Sequence, residues 1–176
     1  IGENFSDFNP VLKKAYEFCP GIRILKQDPW EALCSFIISQ NNNIPRIKKI
    51  ILSLCERFGN KIENNYSFPS AEKLSILTES DLQPIKSGFR ARYILDAAQK
   101  IASGEVNLQK IITMPIENAR EELKKIKGVG NKVADCVLLY GMHRLEFFPM
   151  DVWMKRVMDY FFPGQTSEIF GDYAGI

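Results

Sequence analysis

Leu123-Lys124-Lys125-Ile126-Lys127-Gly128-Val129-Gly130-Asn131-Lys132-Val133-Ala134-Asp135-Cys136 is the stretch that decides the fold. Upstream of the glycines, Asn118 through Lys125 reads as a charged helix with Leu123 and Ile126 on its apolar side. Downstream, Val133, Ala134, Val137 and Leu138 recur at helical spacing and predict a buried helix that closes at Gly141. Two helices joined by glycines at alternate positions make a tight corner. Glycine reaches positive φ and leaves no side chain in the way. Such a turn can press main-chain N–H groups against an anion, at a helix start whose dipole favours negative charge.

Working outward, the chain stays helical. Asp28-Pro29-Trp30 has the form of an N-cap with proline at the first helical position, and Glu31 to Ser39 behind it is apolar enough for a core helix. Asn41-Asn42-Asn43 breaks that helix. Another starts near Pro45 and runs to Phe58, with Gly59 expected as its C-cap. Short helical stretches begin at Ser70 and Thr78, and Pro84 breaks the second. Gly88 precedes a helix with Tyr93, Ile94, Ala97 and Ile101 on one face. Asp151 opens a last strong helix through Val152, Val157 and Tyr160, and Ser167 starts a further one. Strand-like alternation is scarce. The fold expected is all-α, with two helical lobes around a cleft.

Composition is that of an ordinary globular core, with 45% hydrophobic and 25% charged residues. No apolar run is long enough to cross a bilayer. The net charge of +2 is too small to announce a nucleic-acid binder. Four cysteines, Cys19, Cys34, Cys55 and Cys136, are widely spaced and read as buried reduced thiols. No close cysteine pair exists for zinc or an iron–sulfur cluster, and the single histidine, His143, excludes a histidine pair.

Two residues near the corner carry chemistry. Lys132 lies in the first turn of the second helix, where its charge opposes the dipole. Burial and the positive helix end would both favour the neutral amine, which is a nucleophile. Asp151 follows the apolar approach Phe147-Phe148-Pro149-Met150 and stands at a helix start. It reads as an N-cap, and a capping carboxylate beside an amine can serve both roles.

G-V-G-N-K-V-A-D-C over 128–136, followed by F-P-M-D-V-W over 148–153, resembles the helix–hairpin–helix Gly/Pro-Asp superfamily of DNA glycosylases. Two further blocks are similar to its 8-oxoguanine subfamily. One runs from Gln27-Asp28-Pro29 through Ser35-Phe36-Ile37-Ile38-Ser39-Gln40 into Asn41-Asn42-Asn43-Ile44-Pro45-Arg46-Ile47. The other is Gly88-Phe89-Arg90-Ala91-Arg92-Tyr93. The resemblance implies a monomeric, bifunctional glycosylase and lyase that takes a damaged base, 8-oxoguanine, out of double-stranded DNA, preferably opposite cytosine. Lys132 would be the nucleophile and Asp151 its carboxylate partner. Asn41 would fill the space of the flipped base, and Phe89, where relatives often carry tyrosine, would wedge into the stack. Arg46 and Arg90 would read the orphaned cytosine.

The resemblance also implies DNA contacts from Gly128, Val129, Gly130 and Val133, and from Trp153, which stands where many relatives have histidine. Cys136 would line the base pocket. No cofactor is implied, although the carbonyls of Lys124, Ile126 and Val129 would suit a structural cation in the hairpin. Residues 1–176 would be the catalytic core, with an N-terminal β-rich domain and a C-terminal helix lying outside them. The expected compartment is the cytoplasm or nucleoid of a bacterium or archaeon, or a eukaryotic nucleus. Two other readings compete. A glycosylase for alkylated bases typically lacks the lysine. A non-catalytic helix–hairpin–helix module would use Gly128 and Gly130 but gives no reason for Lys132 with Asp151.

Overall fold

A computed structural model describes residues 9–175. Several of its helices begin where a side chain satisfies orphan N–H groups of the first turn. α1 (Pro10–Phe18) is capped by Asn9. α2 (Pro29–Ser39) is capped by Asp28, whose Oδ1 accepts from the N–H groups of Trp30 at 2.9 Å and Glu31 at 3.0 Å. α2 is apolar on most sides and accordingly buries Ala32, Leu33, Cys34, Ile37 and Ile38.

The three consecutive asparagines divide the work of turning the chain. Asn41 takes the left-handed conformation, with φ 46°. Asn42 Nδ2 donates to the Ile38 carbonyl at 2.9 Å, closing α2. Asn43 caps α3 (Ile44–Phe58) by accepting from the Arg46 N–H at 3.0 Å. Asparagine is among the few non-glycine residues that visit left-handed backbone and cap helices equally well.

α3 ends at Gly59, as expected, but for a different reason. Its φ is −78°, so no left-handed turn is involved. A Cβ there would instead stand 2.0 Å from the Ser67 carbonyl oxygen. That close approach accompanies a small antiparallel ladder, β1 (Lys61–Ile62) with β2 (Asn65–Tyr66), which the sequence did not announce. α4 (Ala71–Ser75) and α5 (Glu79–Leu82) follow, the latter with a reciprocal Thr78–Asp81 capping box.

α6 (Arg90–Ala102), α7 (Leu108–Ile111) and α8 (Ile116–Lys124) lead to the glycine turn. α9 (Asn131–Cys136) continues as a π-helical turn over Val137–Gly141, where a uniform α-helix was expected. α10 (Val152–Phe161) is followed by a 3-10 segment, Ser167–Tyr173, with a kink at Gly171.

α2 packs against α3 and α6 on one side and against α9 and its π turn on the other. The two lobes therefore share one core, which runs from Leu33 and Ile37 through Ile94 and Leu123 to Val137 and Phe147. Among the described residues no helix is long and apolar enough to cross a membrane. All four cysteines are free, but only Cys34 and Cys136 are buried, whereas Cys55 is half-buried and Cys19 exposed. Burial pushes the Cys34 thiol well above its usual range.

Candidate active site and nucleic-acid interface

The glycine turn uses its two glycines differently. Gly128 has φ 79°, and a Cβ on it would lie 2.4–2.6 Å from ring carbons of Tyr93. Its place is dictated from inside the protein. Gly130 has extended backbone (φ −100°), and a Cβ there would meet nothing within 4 Å. No side chain caps α9, so the first-turn N–H groups face an open surface. That is the arrangement an approaching phosphate uses. The side chains of Val129 and Val133, expected at the DNA, are both buried. Only their main chain can reach a nucleic acid.

Asp96 holds the turn in place. It is buried on α6, and its Oδ2 accepts the Lys127 N–H at 2.7 Å. The ammonium groups of Lys100 and Lys127 pair with it at 3.2 and 3.4 Å. Lys100 Nζ also donates to the Lys125 carbonyl. Asp96 was not evident from sequence, and its one signal is an acidic residue amid the apolar face of Ile94, Ala97 and Ala98. Of the three carbonyls expected to suit a cation, that of Ile126 accepts the Val129 N–H at 3.1 Å. Those of Lys124 and Val129 accept no main-chain hydrogen bond among the described residues. Carbonyl oxygens are the ligand type that a hard cation takes.

Lys132 leaves the first turn of α9 and is exposed, so the burial expected of it is not found. Its Nζ lies 5.5 Å from the centre of the Phe36 ring, which stacks on Tyr140 at 5.6 Å. An apolar cavity of about 420 Å³ opens beside it. Lys132, Asp151, Cys136, Phe36, Tyr140 and Phe148 are among its walls. Lys132 also borders a second hollow, with Asn41, Gly130 and Val133. The lysine thus stands on the wall shared by the two.

Asp151 caps α10 as expected, with Oδ1 accepting from the N–H groups of Trp153 at 2.9 Å and Met154 at 2.8 Å. Oδ2 carries no hydrogen bond among the described residues. Lys132 and Asp151 share the cavity without forming an ion pair within 4.0 Å. Cys136, one turn after Lys132, is buried in the same wall. Burial pushes its thiol up to about 11, against the opposing pull of the Lys132 ammonium. Burial likewise raises the Tyr140 hydroxyl, helped by the negative charge of Asp151. Behind α9, Asp135 pairs with Arg120 at 2.8 Å, and burial raises its carboxyl despite that partner.

Phe89, Arg46 and Arg90 lie at the loops after α2 and before α6, whereas Trp153 follows Asp151 in α10. Phe89 is 44% exposed and meets Tyr93 edge to face at 5.8 Å. Arg46 is exposed, with Nη2 donating to the Lys86 carbonyl at 3.2 Å. Arg90, expected to read the base alongside it, is buried in the DNA-free protein. Only 2% of it is exposed, and its donors go to main-chain carbonyls of Gln40, Asn41 and Ser87. Burial, reinforced by the charge of Arg46, lowers its pKa from the usual guanidinium value. Trp153 is 69% exposed at the start of α10, with the Arg156 guanidinium 4.9 Å from its ring.

Residues 34–168, which hold the hairpin, Lys132 and Asp151, match the model of the HhH-GPD superfamily base excision DNA repair protein. The chain belongs to the HhH-GPD superfamily. Residues 1–33 match the model of the 8-oxoguanine DNA glycosylase N-terminal domain. An N-glycosylase/DNA lyase of Saccharomyces cerevisiae is 43% identical over 153 residues, covering 78% of this chain and 41% of that protein.

Among solved structures, the Clostridium acetobutylicum 8-oxoguanine glycosylase/lyase superposes with a TM-score of 0.88 at 42% identity. That match covers 99% of this chain and 64% of the other, which is bound to double-stranded DNA containing cytosine opposite 8-oxoguanine. A DNA-3-methyladenine glycosylase of Bacillus subtilis is 32% identical over 149 residues, covering 81% of this chain and 49% of that protein. The chain spans about half the length of the curated relatives it matches.

Proposed function

We propose that the chain is the catalytic core of a bifunctional 8-oxoguanine DNA glycosylase and lyase acting in base excision repair. The observation that carries this reading is the position of Lys132. It borders both an apolar cavity, which it shares with Asp151, and a hollow lined by Asn41 and the hairpin. A base flipped out of the duplex enters the first, and the duplex it leaves lies against the second.

In this reading the Lys132 amine attacks C1′ of the flipped nucleotide. The N-glycosidic bond breaks, its electron pair leaves with the base, and the base takes up a proton. Asp151 stabilises the positive charge that develops on the sugar, its Oδ2 being free of hydrogen bonds among the described residues. The amine loses its proton, and the aminal opens to a Schiff base between Lys132 and the sugar. Removal of a proton from C2′ then eliminates the 3′ phosphate, which cuts the strand. Asn41 fills the vacated space and Phe89 wedges beside it, as inserted apolar side chains do at kinked steps. Arg46 reads the opposite cytosine in this proposal, which its exposed guanidinium supports. The bare N–H groups at Gly130 hold the backbone without reading sequence. A cation at the Lys124, Ile126 and Val129 carbonyls would stiffen the hairpin and takes no part in the chemistry. Such an enzyme acts as a monomer on chromosomal DNA, in a nucleoid or nucleus.

A glycosylase for alkylated bases is the second reading, favoured by the Bacillus subtilis relative. The two differ in product. A duplex with 8-oxoguanine opposite cytosine, incubated with the full-length protein, is expected to lose the base and then be cut at that site. Release of 3-methyladenine with 8-oxoguanine left intact would replace this function with the alternative.

A further inference from the structure

Four lysines crowd the hairpin, Lys124, Lys125, Lys127 and Lys132, and along the chain they have the look of a basic patch for nucleic acid. In the folded protein three of them already face carboxylates. Lys124 pairs with Glu121 at 2.8 Å, Lys125 with Glu122, and Lys127 with Asp96 at 3.4 Å. Lys132 alone of the four has no carboxylate within 4.0 Å among the described residues. The charge left unpaired is the one the proposed chemistry uses.

The three pairs differ in kind. Glu121 and Glu122 lie on the same helix as their lysines, at i, i+3 spacing. Surface pairs of that sort are worth little and give way to a phosphate. Asp96 comes from α6, 31 residues before Lys127, and is only 8% exposed. Its Oδ2 accepts the Lys127 N–H at 2.7 Å, so the carboxylate cannot turn away to water. The Lys100 ammonium stands 3.2 Å from Asp96 and 3.9 Å from Glu105. Two carboxylates therefore balance two ammonium groups, and the cluster is neutral.

The two lysines are not equally free. Lys100 is largely covered and also donates to the Lys125 carbonyl, which commits it to the protein. The Lys127 side chain is 72% exposed, three residues before Gly130, and Asp96 is its one charged partner among the described residues. A neutral carboxamide would accept the Lys127 N–H equally well and would cost less to bury. The negative charge of Asp96 acts on the ammonium groups.

We propose that Asp96 is a positioning residue that withdraws Lys127 from DNA, so that the hairpin grips a phosphate through main-chain N–H groups at Gly130 and not through lysine charge. A free lysine here would hold any duplex, damaged or intact, because attraction to phosphate carries no sequence information. Held back, it keeps non-specific affinity low relative to specific affinity. This rests on the reading of the hairpin as the surface that meets DNA.

Asp96→Asn keeps an acceptor for the Lys127 N–H and removes the charge. Binding of an undamaged duplex to the full-length protein, followed by fluorescence anisotropy between ~50 and ~200 mM salt, reads the consequence. Asp96→Asn should bind several-fold more tightly than the parent at the low end. The slope of log K against log salt should steepen by about 0.9, the value for one lysine newly neutralising a phosphate. Lys127→Met in the Asp96→Asn background should restore the parental affinity and slope. In the parent, Lys127→Met should change neither.

A carboxylate that only shapes the hairpin gives the opposite sign. Weaker binding by Asp96→Asn at an unchanged slope, or unchanged binding, would overturn the proposal. So would a shallower slope for Lys127→Met in the parent, because that lysine would already hold a phosphate. The Lys127→Met comparison decides by itself if Asp96→Asn does not fold. A parent that binds no duplex would sink the DNA reading, whereas a parent that binds, with a slope Asp96→Asn does not move, sinks the masking alone.

Discussion

Gly128→Ala tests whether the hairpin is shaped from within. Two separable penalties act on it. The backbone sits at φ 79°, where an alanine is strained by ~1–2 kcal/mol. The new methyl would also lie 2.4–2.6 Å from three carbons of the Tyr93 ring. That ring cannot swing freely, because Phe89 packs edge-on against it at 5.8 Å and the Arg92 guanidinium covers it at 5.1 Å. Forcing a methyl into a packed site costs a further ~1–3 kcal/mol.

The total of ~2–5 kcal/mol is a large share of a domain stability of ~5–15 kcal/mol. Urea denaturation of the parent, Gly128→Ala, Tyr93→Ala and the double variant separates the two penalties. In the Tyr93→Ala background the glycine substitution should cost only the backbone part, ~1–2 kcal/mol. A cost of Gly128→Ala below ~0.5 kcal/mol, within the range of an ordinary surface change, would refute the reasoning. So would the same cost in both backgrounds, because the ring contact would then contribute nothing.

Gly130→Ala should behave oppositely. Its Cβ enters open space, so urea stability should be nearly unchanged while duplex affinity, measured by anisotropy, falls. Asp151→Asn keeps an oxygen for the Trp153 and Met154 N–H groups and should melt close to the parent, yet excise the base far more slowly. Asp151→Ala should in addition lose ~1 kcal/mol of capping, read as a lower urea midpoint. Cys136 should resist alkylation at neutral pH while exposed Cys19 reacts, because its thiolate forms only as pH approaches about 11. The sign of the linkage follows. The raised thiol favours folding fully below its ordinary value of 9.0, and that contribution is lost as pH rises from there to about 11. Rising stability of the parent over that window, lost in Cys136→Ala, would contradict it.

Sequence was most informative where structure is local. Asp28, Ser70, Thr78 and Asp151 all cap the helices they precede, because a cap needs only a short polar side chain and a following turn. The glycine corner and Lys132 were legible for the same reason. What escaped depends on neighbours distant along the chain. Gly59 is required by Ser67 and not by its own φ, and the β1–β2 ladder is too short to alternate. Asp96 grips the hairpin from 31 residues away, so only the folded chain brings the two together. Arg90 and Arg46 look alike in sequence, yet one is turned inward onto the end of α2 and the other is exposed. The exposure of Lys132 follows from the open side of α9, opposite the apolar face of Val133, Ala134 and Val137.

The proposed mechanism turns on Lys132 as the nucleophile. Sodium borohydride reduction during turnover of 8-oxoguanine duplex, followed by proteolysis and mass spectrometry of the cross-linked peptide, tests it most directly. A DNA adduct is expected on the peptide that carries Lys132, and no adduct from Lys132→Gln. An adduct on another lysine, or one that persists in Lys132→Gln, would contradict it.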